Sequence, residues 1–173
     1  MTKGVSRHTL APMHQLAGDH YLAGRMNEAM DAYRQILQID ASDAIALHGM
    51  GLIDLTEGQT KSALDALEKA IALDLNNSEY HVILGIARSI NNNLNLAKLS
   101  FQETVRLKPS NLTARCNFAL CLLNIGESNC ALVEVHRILK KAFRTENISL
   151  RRHGSRIYVW ARLVRFSKSI LKK

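Results

Sequence analysis

Apolar residues recur every three or four places along most of the chain, and glycine or proline rarely interrupts them. This spacing puts the apolar side chains on one face of a helix, because an α-helix completes a turn about every 3.6 residues. The sequence contains nine glycines and two prolines in 173 residues, so few positions force a helix to stop. The pattern predicts an all-α fold.

The helical pattern repeats with a period of 34 residues. Blocks 10–43, 44–77, 78–111 and 112–145 align without a gap, and equivalent places carry similar side chains. A large apolar residue stands directly before a small one in every block, at Leu16 and Ala17, Met50 and Gly51, Leu84 and Gly85, and Phe118 and Ala119. A second small residue and, four places later, a bulky one follow at Ala29 and Tyr33, Ala63 and Leu67, Ala97 and Phe101, and Ala131 and Val135. We expect all of these side chains to lie in the core.

A turn is predicted near the middle of each block. Three blocks have glycine there, at Gly24, Gly58 and Gly126, and the third block has Asn92. Both residue types reach positive φ at low cost, which the end of a helix often requires. Residues suited to stopping one helix and capping the next lie near the block boundaries, at Ser42, Asn76, Asn77, Ser78, Pro109, Ser110 and Asn111. Each block is therefore predicted to be two helices joined by a short turn.

These columns of small and large residues resemble the tetratricopeptide repeat family, over roughly residues 10 to 141. The resemblance implies a right-handed helical-repeat superhelix of about four helix-turn-helix pairs, closed by a C-terminal capping helix. It divides the chain into an N-terminal extension (1–9), the four blocks, the last of which fades at its end, and a basic C-terminal segment (146–173). The function that it implies is a non-catalytic scaffold or adaptor for other proteins.

The resemblance also implies that partners bind on the concave side, which the first helices of the pairs line. The predicted groove residues are His14, Tyr21, His48, Leu52, Leu55, Val82, Ile86, Ser89, Cys116, Asn117, Leu120, Leu123 and Asn124, with Ala11, Gly18, Ile45, Glu79 and Thr113 at further inward places. Most of the larger side chains are apolar, and an exposed apolar strip is normally covered by a partner. We therefore expect a helical or extended apolar peptide segment as the ligand.

Family members that grip the C-terminal carboxylate of chaperones use paired Lys, Arg and Asn side chains on this groove. The matching places here hold His14, Gly18, Gly49, Glu79 and Ile83, so that carboxylate clamp is absent. His14 and His48 occupy the same place in consecutive blocks, and we expect them to approach each other as a pH-sensitive contact. Two imidazoles without a third ligand make a poor metal site, so no metal or other cofactor is predicted.

Charge divides the chain into two parts. Residues 1–136 hold 11 basic and 14 acidic side chains, whereas residues 137–173 hold 12 basic side chains and one acidic one. A basic amphipathic helix is predicted from about Arg156 to Leu171, and the basic surface of this segment comprises Arg151, Arg152, Arg156, Arg162, Arg165 and Lys168. We expect this helix to cap the repeats. The alternatives are attachment to an anionic membrane surface, and binding of the segment to the groove of its own or a neighbouring molecule; nucleic acid is disfavoured because no other motif for it is present.

No catalytic motif, phosphate loop or dinucleotide fingerprint occurs in the sequence, so we expect no enzyme. The main alternative is a substrate-presenting repeat portion related to a larger glycosyltransferase or other transferase. No apolar run is long enough for a signal peptide or a membrane-spanning helix, which predicts a cytoplasmic location. Cys116, Cys121 and Cys130 lack a Cys-x-x-Cys pair and are predicted to be reduced, packed thiols.

Overall fold

A computed structural model describes residues 7–144 of the chain, and the side chains of residues 10–141. This part of the chain is all-helical, with eight helices: α1 (Arg7–Leu22), α2 (Met26–Ile39), α3 (Ala44–Thr56), α4 (Thr60–Leu73), α5 (Ser78–Ile90), α6 (Leu94–Leu107), α7 (Leu112–Asn124) and α8 (Ser128–Arg144). The predicted all-α repeat fold is confirmed, with two helices in each block. The predicted C-terminal helix, and with it the basic surface from Arg151 to Lys168, lies outside the described residues.

The chain divides into two compact units, residues 1–87 and residues 88–173. The first unit contains α1 to α4 and most of α5. Within it, α1 packs against α2 and α3, and α3 packs against α4. The second unit contains the end of α5 and α6 to α8, with α7 packed against both α6 and α8. Helices that are neighbours along the chain thus pack together within each unit at α1 to α4 and at α6 to α8, as expected for a repeat fold.

The core of the first unit is built from the repeated small and bulky columns. Ala29, Ala63 and Leu67 are fully buried, and Tyr33 is nearly so. A methyl group at Gly51 would lie 2.8 Å from Cγ of Leu67, so the small residue lets α3 and α4 approach closely. The predicted helix-packing role of these columns is confirmed.

The second unit repeats this arrangement with different side chains. Ala97, Ala119, Ala131 and Val135 are fully buried, and Phe101 is the largest buried side chain among the described residues of this unit. Burial of these apolar side chains supplies most of the stability of a helical repeat, since its helices are too short to be stable alone.

The predicted turns have the expected backbone conformation. Gly24, Gly58 and Gly126 have φ of 74°, 78° and 84°, and Asn92 has φ of 59°. Asparagine is one of the few side-chain-bearing residues that tolerate this region. The side chains of Asp43 and Asn111 cap α3 and α7 by accepting hydrogen bonds from the backbone N–H of Ala46 and Ala114, at 2.7 and 3.0 Å. The cap of α3 is therefore Asp43 and not the preceding Ser42.

Two predictions about buried residues are wrong. Leu16 is 54% exposed, although Leu84 in the same column is only 4% exposed. Leu84 packs in a cluster with Leu67, Ala70 and Ile71 of the preceding α4, and the described residues contain no helix before α1 that could cover Leu16 in this way. Cys130 is exposed, whereas Cys116 and Cys121 are at least partly buried. In the part of the chain that the structure describes, no helix is long and apolar enough to cross a membrane.

Candidate functional site: an apolar cleft with an acidic edge

A cleft of about 750 Å³ opens on the first unit, between the first helices α1 and α3 and the connections that precede α3 and α5. Its lining residues are Leu10, Ala11, His14, Asp40, Ser42, Asp43, Ala44, Ile45, Leu73, Asp74, Asn77 and Tyr80. Ala11, His14 and Ile45 are among the inward positions predicted from the sequence. The aspartates come from the inter-repeat turns, which that prediction did not include.

The His14 side chain has a fixed position at one side of the cleft. Its Nε2 lies 2.9 Å from Oδ1 of Asp43, and both side chains are largely buried. The same carboxylate oxygen accepts the capping hydrogen bond from the backbone N–H of Ala46. Asp43 therefore joins α1 to the N-terminus of α3, and its charge is engaged within the unit.

His48 has a different environment, although it occupies the same place in the next block. Its ring packs on that of Tyr80, with centroids 4.7 Å apart and an angle of 32° between the planes. Its Nε2 is buried without a hydrogen-bond partner. Burial lowers the pKa of His48, and the negative charge of Glu79 acts in the opposite direction. The contacts of His14 are thus with Asp43, and those of His48 are with Tyr80.

Several carboxylates lie near Tyr80, one of the residues that line the cleft. Burial raises the pKa of Tyr80, and the carboxylates of Asp74, Asp43 and Glu79 raise it further. Among the residues whose side chains the structure describes, no lysine or arginine lines the cleft. The cleft thus combines an apolar wall with an acidic edge, which consists of Asp40, Asp43 and Asp74.

The other predicted groove residues of the first unit differ in their accessibility. Leu52 and Ile86 are half-buried. Tyr21 and Leu55 are also half-buried, but each packs against a core cluster. Val82 is only 7% exposed, so its side chain offers little surface to a partner.

The predicted groove residues of the second unit show the same variety. Leu120 and Asn124 are exposed, whereas Leu123 is 4% exposed and belongs to the core. Ser89, Cys116 and Asn117 are half-buried. Burial raises the pKa of the Cys116 thiol, which disfavours the reactive thiolate.

A repeated aspartate in the sequence indicates the acidic edge, but the groove prediction did not use it. Asp40 and Asp74 occupy the same place in consecutive blocks, directly after the second helix. Each Oδ1 accepts a hydrogen bond from the backbone N–H two residues later, at 3.0 Å from Ser42 and 3.2 Å from Asn76. The repeated aspartate is therefore a turn-forming residue that also brings charge to the cleft. Among the described residues, no group of three or more His, Cys, Asp or Glu side chains is placed to hold a metal ion.

Comparison with known proteins agrees with this architecture. The family model for the tetratricopeptide repeat matches residues 44–77, which are the second block and contain α3 and α4. The chain therefore contains a tetratricopeptide repeat in residues 44–77. Among curated proteins, BBSome complex member BBS4 of Bos taurus is 33% identical over 95 residues, which are 55% of this chain and 18% of that protein. The chain spans about a fifth of the length of the curated BBS4 relatives that it matches.

Solved structures share the fold at low sequence identity. YrrB, described as a tetratricopeptide repeat protein with an unusual peptide-binding site, is 22% identical, with a TM-score of 0.70 over 92% of this chain and 91% of that chain. The first repeat domain of RPAP3 bound to the HSP90 peptide SRMEEVD is 17% identical, with a TM-score of 0.66 over 70% and 97%. A Thermobaculum terrenum O-GlcNAc transferase mutant is 22% identical, with a TM-score of 0.73 over 81% of this chain and 27% of that chain.

Proposed function

We propose that this tetratricopeptide repeat protein is a non-catalytic scaffold or adaptor that binds a helical or extended apolar peptide segment with the first helices of its repeats. The observation that carries this proposal is the cleft of the first unit, where the side chain of Ile45 is 51% exposed on α3. An apolar side chain in a concave site gains about 1 to 2 kcal/mol when a partner covers it.

Two similar proteins support a binding role. BBS4 is described as a member of a complex, and the RPAP3 domain was solved with a bound peptide. A cytoplasmic location is part of the proposal. The proposal also favours a protein partner in the groove over two alternative roles of residues 146–173, namely attachment to an anionic membrane and self-association.

The first test is a pull-down with mass spectrometry on the full chain and on the variant Ile45→Asp. Loss of the apolar contact should reduce recovery of a specific protein partner about tenfold, because roughly 1.4 kcal/mol corresponds to a factor of ten in affinity. The fold should persist, since the equivalent residue of the third block is the charged Glu79. Circular dichroism and urea unfolding check that the helices are retained.

Leu99→Asp is the matched control. Leu99 is 57% exposed on α6, and the equivalent places in the first two blocks are Asp31 and Asp65. This control therefore adds the same charge at similar exposure, on a second helix that should not contact the ligand. If both variants recover the partner as well as the unchanged chain does, the cleft is not the binding site. Recovery of membranes alone would favour the C-terminal segment as the functional part.

The second candidate function is presentation of a protein substrate to a transferase. The structural likeness to the O-GlcNAc transferase favours it, although that likeness covers 27% of the transferase chain. This candidate predicts that the protein recovered with the chain is a transferase or its substrate. A glycosyltransferase assay on the recovered complex distinguishes it from a scaffold whose partners carry no such activity.

A further inference from the structure

The first unit has an acidic balance that the charge of the whole chain conceals. The chain carries a formal charge of +8, but residues 1–87 contain only six Lys and Arg against 11 Asp and Glu. The cleft lies in this unit, and its lining within residues 10–141 includes three aspartates but no lysine or arginine. The cleft would thus attract a cationic ligand and repel an anionic one.

The carboxylates of Asp40 and Asp74 are placed to receive cationic donors. Both residues are exposed, and each uses Oδ1 to hold its turn, so Oδ2 can accept a hydrogen bond from a ligand. Asp43 differs, because its side chain is largely buried and its Oδ1 is shared by His14 and the N-terminus of α3. Two of the three aspartates are therefore available for charge-assisted hydrogen bonds with a partner.

An apolar surface lies beside these charges. Ile45 and Leu73 line the cleft with about half of their side-chain surface exposed. Solvent-exposed side chains of this size in a concave site favour a ligand that covers them. The ligand must then match both features: apolar side chains against Ile45 and Leu73, and cationic side chains at Asp40 and Asp74.

We propose that the peptide ligand of this cleft is a segment in which lysine or arginine side chains stand beside apolar ones. This inference rests on the proposed scaffold function and names the chemistry of its partner. It sets the chain apart from its structural neighbour RPAP3, which was solved with the acidic HSP90 peptide SRMEEVD. Such a peptide would bring carboxylates to a cleft that already holds three.

The test uses fluorescence anisotropy with the full chain and labelled peptides. The basic apolar probe is the peptide RIYVWARLVRFSKSILK, which is the sequence of residues 156–172 and contains five Lys and Arg residues. The comparison peptides are the same sequence with those five residues changed to Glu, and SRMEEVD. We expect the basic probe to bind at least about tenfold more tightly than either, and to weaken as salt is raised.

The double variant Asp40→Asn with Asp74→Asn isolates the two charges. Asparagine keeps the Oδ1 acceptor that each turn uses, so the turns should persist while two negative charges are lost. We expect this variant to bind the basic probe about three- to tenfold more weakly, with a smaller dependence on salt. The matched control is Asp31→Asn with Asp65→Asn, which removes the same net charge from exposed positions on α2 and α4 that do not line the cleft.

The outcomes separate this inference from the function on which it rests. If the basic and charge-reversed peptides bind equally, and both lose affinity with Ile45→Asp, the cleft binds peptides but the proposed charge preference is wrong. Equal effects of the two asparagine pairs would also overturn it, since net charge alone would then explain the binding. If no peptide or protein depends on Ile45, the scaffold function itself fails at this site.

A photoreactive residue in place of Ile45 identifies the occupant in the full chain. A crosslink to the added basic peptide supports the proposal. A crosslink to residues 146–173 of the chain instead of the added peptide would overturn the proposal of a separate ligand, and the mass of the product would show whether one or two copies are joined. Absence of both crosslinks overturns the proposal.

Discussion

Gly49 of α3 packs directly against the ring of Tyr33 from α2, and this contact provides a sharp test of the packing between the first two blocks. A Cβ atom at Gly49 would lie 2.2 Å from Cζ of Tyr33, and 2.4 and 2.7 Å from its two Cε atoms. Tyr33 is almost fully buried, so its ring cannot move into solvent. The substitution Gly49→Ala therefore forces the ring or α3 to shift.

Two opposing effects set the magnitude of the change in stability. Alanine is favoured over glycine within a helix by about 1 kcal/mol. Overpacking of a buried contact costs about 1 to 3 kcal/mol, and a 2.2 Å approach to a rigid ring belongs at the upper end of that range. We expect Gly49→Ala to lower the free energy of unfolding by about 1 to 2 kcal/mol.

Gly18→Ala is the matched control for this substitution. Gly18 also lies within a helix of the first unit, and a Cβ atom there would meet no atom within 4 Å. The same chemical change should therefore raise the free energy of unfolding by about 0.5 to 1 kcal/mol. The two variants should change stability in opposite directions.

The assay is urea unfolding followed by circular dichroism, with the unfolding midpoint and slope fitted for each variant. A double variant, Gly49→Ala with Tyr33→Leu, tests the cause, since leucine is the equivalent residue of the second block at Leu67. In the Tyr33→Leu background, Gly49→Ala should no longer destabilise, which corresponds to a coupling of about 2 kcal/mol. If Gly49→Ala is as stabilising as Gly18→Ala, or if the two substitutions are additive, the proposed clash does not exist.

Three further predictions concern single groups. Burial lowers the pKa of His48 in the folded chain, so the unfolded chain binds the proton more tightly and the free energy of unfolding should fall as pH drops below about 6.5. In urea unfolding at several pH values, the free energy of unfolding of His48→Gln should fall less steeply over this range. An equally steep fall in the variant would contradict the prediction. Iodoacetamide should label the exposed Cys130 before Cys121, because burial raises the pKa of the Cys121 thiol and its Sγ donates a hydrogen bond to a backbone carbonyl. Mass spectrometry of the native protein after short labelling times gives the order. Faster labelling of Cys121 would refute the prediction. Arg115→Ala should lower the free energy of unfolding by about 2 to 4 kcal/mol, because it leaves the buried Glu134 carboxylate without one of its two arginine partners. In urea unfolding, the double variant Arg115→Ala with Glu134→Gln should recover part of this loss. If the effects of the two substitutions are fully additive, the two side chains are not coupled.

The site was only partly predictable. Ile45 and His14 lie in the cleft because the first helices of repeats present equivalent positions to one side, which the 34-residue period makes visible. Val82 and Leu123 occupy equally inward places by sequence but are buried. Periodicity assigns a side chain to a helix face, and only the packing of neighbouring helices determines how much of that face is covered.

Within residues 7–144, the sequence by itself determined the eight helices, their turns and, apart from the exposed Leu16, their core columns. A 34-residue repeat of small and bulky residues leaves one arrangement in which each helix pair can bury its apolar face, and positive φ at the turns calls for glycine or asparagine. Only the tertiary structure decided which residues share an environment. Asp43 meets His14 across 29 positions, and Asp40 and Asp74 join the same cleft, because the inter-repeat turns come together when the first helices pack. His14 and His48 are equivalent in sequence but differ in environment, since one finds a carboxylate and the other an aromatic ring.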